Sequence, residues 1–310
     1  MGQVKVNVNS KVAGFYKLEA VKLDKNGTET SRRLVADWFP NLVTNGGLNR
    51  MVSADYLYYC QVGSGSATPA FTDTALTSRI ANNSSASVTN GYLSVSPYYA
   101  WKRIVYRFNE GVAAGNLSEV GVGWATTGSL FSRALILDGL GDPTTVTILA
   151  DETLDVTYEL RLYPKLTDDT GTVVFTGNIG GTYNWVIRPA QLGVGGWDLG
   201  NTMNSNYFYF MQPSTSFAGD GDIGPITGVP TGTAVPTGSA VIDAYVDNSL
   251  EVKSTITYSL TQGNHASGLK SLYFYVGAGS AILQLSFTPA IPKTSNDILT
   301  FKIKHSWGRV

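Results

Sequence analysis

A set of residues recurs along this chain in the same order, and that recurrence limits the fold more than any single motif does. Tyr56-Leu57-Tyr58-Tyr59-Cys60-Gln61 returns as Tyr207-Phe208-Tyr209-Phe210-Met211-Gln212. Tyr106-Arg107-Phe108-Asn109-Glu110-Gly111 returns as Tyr258-Ser259-Leu260-Thr261-Gln262-Gly263, and this match continues without a gap. Ala114, Leu117, Val120 and Val122 pair with Ala266, Leu269, Leu272 and Phe274, while Pro40 and Gly46-Gly47 find Pro189 and Gly195-Gly196. A unit of about 150 residues is too long for a solenoid repeat and has the size of a whole domain. The expectation is two related domains in tandem, residues 1–166 and 167–310. The turn formers between Pro164 and Gly171, with Asp168-Asp169-Thr170-Gly171, mark the boundary.

Composition sets the class of those domains. The 34 glycines, with abundant Thr, Ser, Asn and Tyr, suit many short strands joined by turns rather than helices. Leu154-Asp155-Val156-Thr157-Tyr158-Glu159-Leu160-Arg161-Leu162 alternates apolar and polar side chains as a half-buried antiparallel strand does, and Leu299-Thr300-Phe301-Lys302-Ile303-Lys304 repeats the pattern. Each follows another strand, 145–149 or 282–287, so both halves are expected to close on equivalent hairpins. The fold class is therefore all-β: two internally duplicated antiparallel β-sandwich domains with short helices in their connections. Asn45-Gly46-Gly47-Leu48-Asn49-Arg50-Met51-Val52 predicts one such helix, and Thr72-Asp73-Thr74-Ala75-Leu76 carries a second N-cap signal.

Charge excludes some partners. The 22 basic and 23 acidic residues leave a net charge of −1, which gives no electrostatic footprint for nucleic acid or an anionic membrane. The first residues, Met1-Gly2-Gln3-Val4-Lys5-Val6-Asn7-Val8, alternate polar and apolar and do not read as a signal peptide. No stretch is long and apolar enough to insert in a membrane. The single cysteine, Cys60, cannot close a disulfide within the chain and reads as a small buried hydrophobe.

Catalytic chemistry has little to build on. The two histidines, His265 and His305, lie in no metal-ligand spacing. His265 stands in a Gly-Asn turn where the first half has Ala113, and reads as solvated; His305 sits beside Trp307 on the closing strand. The carboxylate pairs Asp151-Glu152, Asp168-Asp169 and Asp220-Asp222 all fall in predicted turns, where acids serve solubility and backbone capping. Asp220-Gly221-Asp222 has two oxygen donors for calcium but lacks the further acids of an EF-hand, so no metal and no cofactor are assigned. Gly63-Ser64-Gly65-Ser66 lacks the Lys-Ser/Thr of a phosphate loop and reads as a tight turn. Tyr56, Tyr58, Tyr207 and Tyr209 recur at matched positions and read as core or cross-strand rings.

One segment invites a partner. Residues 217–239 hold Pro225, Pro230 and Pro236 among Thr-Gly pairs, which excludes a central strand and predicts a long exposed loop. Phe217 and Ile226 would supply its apolar anchors and Asp220 and Asp222 its polar contacts; with Trp307 they are the candidate binding or interface residues.

Several segments also resemble a known family. They are Trp38-Phe39-Pro40-Asn41-Leu42 with Asn45-Gly46-Gly47-Leu48, then Val62-Gly63-Ser64-Gly65 with Pro69 and Thr72-Asp73-Thr74-Ala75-Leu76. Further on come Gly115-Asn116-Leu117-Ser118-Glu119-Val120-Gly121-Val122-Gly123-Trp124, Leu130-Phe131-Ser132-Arg133-Ala134 and Leu154-Asp155-Val156-Thr157-Tyr158-Glu159-Leu160-Arg161. Together they resemble virion structural proteins of tailed bacteriophages, of the tail and tail-fibre type, over most of residues 30–165. The resemblance implies a non-enzymatic, β-rich, oligomeric tail component made in the bacterial cytoplasm, whose partners are other tail proteins and further copies of itself. The alternative expectation is a receptor- or carbohydrate-binding module that contacts glycan on the host surface.

Overall fold

The computed structural model of the protein describes residues 4–53, 56–84, 87–194, 214–275 and 282–310. The recurrences at Tyr207 to Gln212 and at Gly195-Gly196 lie outside the described residues. Strand is the dominant element, and the alternation of apolar side chains places it. The first half contributes β1 (Val4–Leu23), β2 (Glu29–Pro40), β3 (Leu42–Val43), β4 (Tyr59–Gly63), β5 (Arg79–Ser84) and β6 (Ser87–Leu93). It continues with β7 (Tyr99–Phe108), β8 (Gly115–Leu117), β9 (Glu119–Gly123), β10 (Leu130–Leu135), β11 (Val146–Ile148) and β12 (Thr153–Pro164). The second half adds β13 (Asp169–Phe175), β14 (Gly181–Pro189), β15 (Ser214–Gly219) and β16 (Ser239–Ile242). It ends with β17 (Glu251–Tyr258), β18 (Leu269–Tyr275), β19 (Ile282–Ile291) and β20 (Leu299–Arg309).

One sheet runs through both halves. Its order is β16-β17-β20-β1-β12-β7-β6, with β2 paired to the far end of β1. The twenty-residue β1 is far longer than an ordinary strand of about five or six residues. That length lets Val4 to Val12 pair in parallel with Phe301 to Arg309, while Ser10 to Val21 pair antiparallel with β12. Against the inner face of this sheet lie two five-stranded sheets, β3-β10-β9-β4-β5 and β13-β14-β19-β18-β15, and β8 and β11 form a small ribbon.

Two cores fill the space between layers. The first gathers Tyr16, Tyr106, Val156 and Tyr158 from the long sheet against Cys60, Val62, Val120 and Phe131. The second sets Ile256, Tyr258, Phe301 and Ile303 against Leu272, Phe274, Leu285 and Phe287. Each fully buried aliphatic or Phe side chain contributes about 1.5–3 kcal/mol of hydrophobic stabilisation. The cores exchange residues across position 166: Val6 and Val8 belong to the second, while Val252, Tyr273 and Trp307 belong to the first.

Helix is scarce among the described residues. Asn45–Arg50 forms α1, capped by Thr44, whose Oγ1 accepts from Gly47 N at 2.8 Å. No helix among the described residues is long and apolar enough to cross a membrane.

Four local expectations change. The Thr72 to Leu76 segment forms turns, not a helix, because the Asp73 carboxylate accepts from Ala70 N behind it and bonds Arg133 instead of capping a following turn. Gly63-Ser64-Gly65-Ser66 is no tight turn: the chain leaves β4 extended, and Gly65 N donates to the buried Glu119 carboxylate at 3.0 Å. A side chain at Gly65 would collide with that carboxylate, which also accepts from Thr77 N, Ser78 N and Arg133. The closing strands do not form hairpins with their predecessors, since β11 pairs β8 and β19 pairs β14 and β18. At each of these loops the chain passes between sheets, so neighbours in sequence lie in different layers. Finally, Tyr58 is 40% exposed, whereas Tyr56 is buried.

Candidate functional site

The outer face of the long sheet concentrates charge and rings where a half-buried strand would present only solvated polar groups. On β12 the polar positions Asp155 and Glu159 are themselves buried, because arginines from neighbouring strands cover them. Strand pairing produces this arrangement directly. Asp155 stands opposite Arg107 and Glu159 opposite Arg103, each pair in register across β12 and β7.

Arg107 grips Asp155 with two bonds, 2.7 Å from Nε to Oδ1 and 2.6 Å from Nη2 to Oδ2. Arg32 on β2 adds a third at 3.1 Å. The bond to Asp155 raises the pKa of Arg107, so this guanidinium stays charged. Glu159 bonds Arg103 and, at 2.5 Å, Arg161 Nε. With each buried carboxylate hydrogen-bonded by two arginines, removing either partner would leave an uncompensated buried group, and the bonds tie β2, β7 and β12 together.

Aromatic rings surround this ladder. The Arg103 guanidinium lies 4.4 Å from the Trp101 ring centre and 5.4 Å from that of Trp38. Arg161 lies 4.1 Å from Phe15 and 4.7 Å from Tyr99, and Tyr99 meets Tyr163 at 5.2 Å. Trp101 rests across Gly91, its cross-strand partner; a β-carbon there would sit 2.6 Å from the indole. Gly91 is thus the residue that allows the ring to lie flat on the sheet.

The carboxylate spacing does not match that of a two-acid hydrolase. Asp155 and Glu159 are four residues apart on one strand, about 13 Å, beyond the 5–9.5 Å that two-carboxylate glycoside hydrolysis uses. Each carboxylate is bonded by two arginines, Asp155 by Arg107 and Arg32 and Glu159 by Arg103 and Arg161.

The residues expected from the sequence to form a site do not come together. Phe217 on β15 and Ile226 in the following loop are half-buried and pack against the protein's own first core, so they are not free anchors. The predicted excursion is tied down: the Gln284 amide donates to Gly224 O and Pro225 O at 3.0 and 2.9 Å and accepts from Gly224 N at 2.8 Å. Asp220 accepts from Thr233 N at 2.7 Å, which holds its pKa low, and its other oxygen is 3.5 Å from His265 Nε2. His265 is accordingly half-buried beside a carboxylate, not a purely solvated turn residue. Asp222 is exposed and bonds Lys270 at 2.8 Å. The two aspartates therefore face separate partners, and the described residues hold no cluster of three or more metal-ligating side chains.

Trp307 is 3% exposed and turns inward, where its Nε1 donates to Leu48 O at 2.8 Å and its ring stacks on Tyr245. Its contacts are within the chain, between the closing strand and α1. Beside it His305 is buried, with Nε2 3.0 Å from Ser10 Oγ, and burial lowers its pKa to about 3. The remaining acid pairs are ion-paired singly: Asp151 to Lys22, Glu152 to Arg33, Asp168 to Arg188 and Asp169 to Lys165. Hydrogen bonding by Arg33 brings Glu152 down to about 2.

The ladder residues Arg103, Arg107, Glu159 and Arg161 and the rings Phe15, Trp38 and Trp101 were not singled out from the sequence. Their signal was the polar face of two alternating stretches, Trp101-x-Arg103-x-Val105-x-Arg107 and Asp155-x-Thr157-x-Glu159-x-Arg161. No protein-family model, curated protein or solved structure matches this chain.

Proposed function

We propose that the protein is a non-enzymatic structural component of a bacteriophage tail, associated with its tip, baseplate or fibre, and that it works through contacts between subunits. The observation carrying this reading is the arginine and aromatic face of the long sheet. Buried interface centres are enriched in Arg, Trp, Tyr and Phe, and this face offers Trp38 and Leu34 at 38% and 54% exposure beside the pre-positioned Arg103 and Arg161. Ordered side chains lose little entropy when a partner docks. The resemblance of residues 30–165 to tail proteins supplies the particle, and the partners are other tail proteins and further copies of the chain.

Two tandem, related β-sandwich domains belong to the same proposal. Strand order supports the duplication, since β12, β7 and β6 lie on one side of β1 and β20, β17 and β16 on the other. The strand directions also fit a two-fold axis normal to the sheet, because β1 pairs antiparallel with β12 and parallel with β20. Gly111 and Gly263 both adopt positive φ, 75° and 69°, just after the strands that carry Tyr106 and Tyr258.

Immuno-electron microscopy of purified particles tests the assignment: label on the tail supports it, and label on the head or on no particle ends it. Sedimentation of a Trp38→Ala, Leu34→Ser variant tests the face, with loss of self-association expected.

A second reading, binding of host-surface glycan, is favoured by one cavity. A hollow of about 570 Å³ between the β13–β14 and β19–β20 connections is lined by Asn178, Asn296, Asp297 and Thr300 with Ile298. Amides, hydroxyls and a carboxylate, with no cationic side chain in the lining, suit a neutral, hydroxyl-rich ligand. Glycan-array binding that is lost on Asn296→Ala would favour this reading.

A further inference from the structure

We infer that the second half of the long sheet's outer face carries a binding site for a short, multiply charged phosphate ligand. Lys5, Lys253, Lys302 and Lys304, with Asn7, line a groove of about 340 Å³. This is about ten times the volume a water molecule occupies in the liquid, enough for a compact group of phosphates.

The register makes the cluster costly without a ligand. Lys5 stands opposite Lys302 on the parallel pair β1 and β20, and Lys253 stands opposite Lys304 on the antiparallel pair β17 and β20. Like charges placed directly across a strand pair are destabilising. Glu251 offsets the second pair only, at 3.0 Å from Lys253 and 3.3 Å from Lys304. Asp243 is the only carboxylate lining the groove, and among the described residues neither Lys5 nor Lys302 has an ion-pair partner. Both are exposed.

A chain of net charge −1 has thus gathered four ammonium groups on one short patch of sheet. An oxyanion seated among them would relieve the repulsion and accept bonds from several ammoniums and from the Asn7 amide. The groove's volume favours a compact ligand over a polymer running across the sheet, and the Asp243 carboxylate in its lining disfavours an anion at its own position. The site uses none of the residues of the proposed subunit face, and it stands whether or not the particle assignment does.

The test is thermal shift and calorimetric titration of the isolated full-length protein with inorganic tripolyphosphate. Parallel arms use glucose 1-phosphate and a short double-stranded DNA. Saturable stabilisation by tripolyphosphate is expected, weakening about tenfold as salt rises and screens the site. A Lys5→Gln, Lys302→Gln variant should keep the unliganded melting temperature or raise it, yet bind at least about tenfold more weakly. Lys25→Gln, in an exposed turn, should bind like the parent. Stronger binding of the sugar phosphate identifies a phosphorylated glycan as the source, and stronger binding of tripolyphosphate identifies free polyphosphate. Absence of saturation by either compound, equal binding by the double variant, or binding of DNA alone would overturn the inference.

Discussion

On β7 and β12 the outer face of the long sheet sets arginines against carboxylates and rings, whereas on β17 and β20 the same face carries lysines with almost no acid beside them. Beneath both, the inner face is alike: alternating apolar side chains, with Val156 and Phe301 each fully buried. The difference teaches what each surface is built for. A planar guanidinium can bind a carboxylate with two bonds and lie on a ring, so the arginine half is internally satisfied and rigid. Lysine is a flexible point charge, and with Glu251 bonded to only two of the four and Asp243 the one carboxylate in the groove lining, they leave attraction for something outside the chain.

The strongest way to break the comparison is to attack what the halves share. Val156→Asp and Phe301→Asp each place a charge in a dry core, and each should cost about 4 kcal/mol or more in denaturant unfolding. Because β1 is hydrogen-bonded to both β12 and β20, Phe301→Asp should weaken the first half as well. A first transition left unmoved would show that the long sheet does not couple the two cores.

The next effect belongs to the arginine half alone. Glu159→Gln keeps the shape but leaves Arg103 and Arg161 without their buried counter-ion, and should cost about 2 kcal/mol, less than a fully buried pair because both arginines are partly exposed. A change below measurement error would mean that the ladder is surface decoration.

A comparable effect separates the second half by pH. His305 has its pKa lowered by burial from 6.5 to about 3, so the unfolded chain takes up a proton below 6.5 that the folded one refuses. Its contribution to stability is therefore full above 6.5, falls with acidification, and is exhausted near 3. Between pH 6.5 and 5 the loss should be about 2 kcal/mol. His305→Gln should flatten that part of the stability profile, and a parent profile already flat there would disprove a buried neutral imidazole.

The smallest effect has the opposite sign. Lys302→Gln removes one like-charge neighbour and should leave stability unchanged or raise it by about 0.5 kcal/mol. A clear loss would show that Lys302 has a structural partner and that the lysine half is as satisfied as the arginine half.

The all-β class and the two strands with clean alternation, β12 and β20, were legible because an apolar residue at every second position has one way to be buried. The helix after Thr44 was legible from its cap. The candidate site was not. Phe217 and Ile226 read as exposed anchors and Trp307 as an interface candidate because a proline-rich loop and a terminal strand usually lie outside, but here Phe217 is paired into β18, the Gln284 amide ties down the loop at Gly224 and Pro225, and the carbonyl of Leu48 holds Trp307 inward. The arginine ladder escaped notice because polar residues on alternating strands ordinarily face water, and only the pairing of β7 with β12 turns those charges into partners.

By itself, then, the sequence determined the all-β class, the apolar faces of the two strands with clean alternation, β12 and β20, and the short helix after Thr44. Only the tertiary structure decided that β1 would run through both halves, that the acids of β12 would be buried under arginine, and that lysines far apart in sequence would meet around one groove. The physical reason is that alternation is a local consequence of strand geometry. Register and sheet order depend instead on which distant segments pair, and that choice is made by the whole core at once.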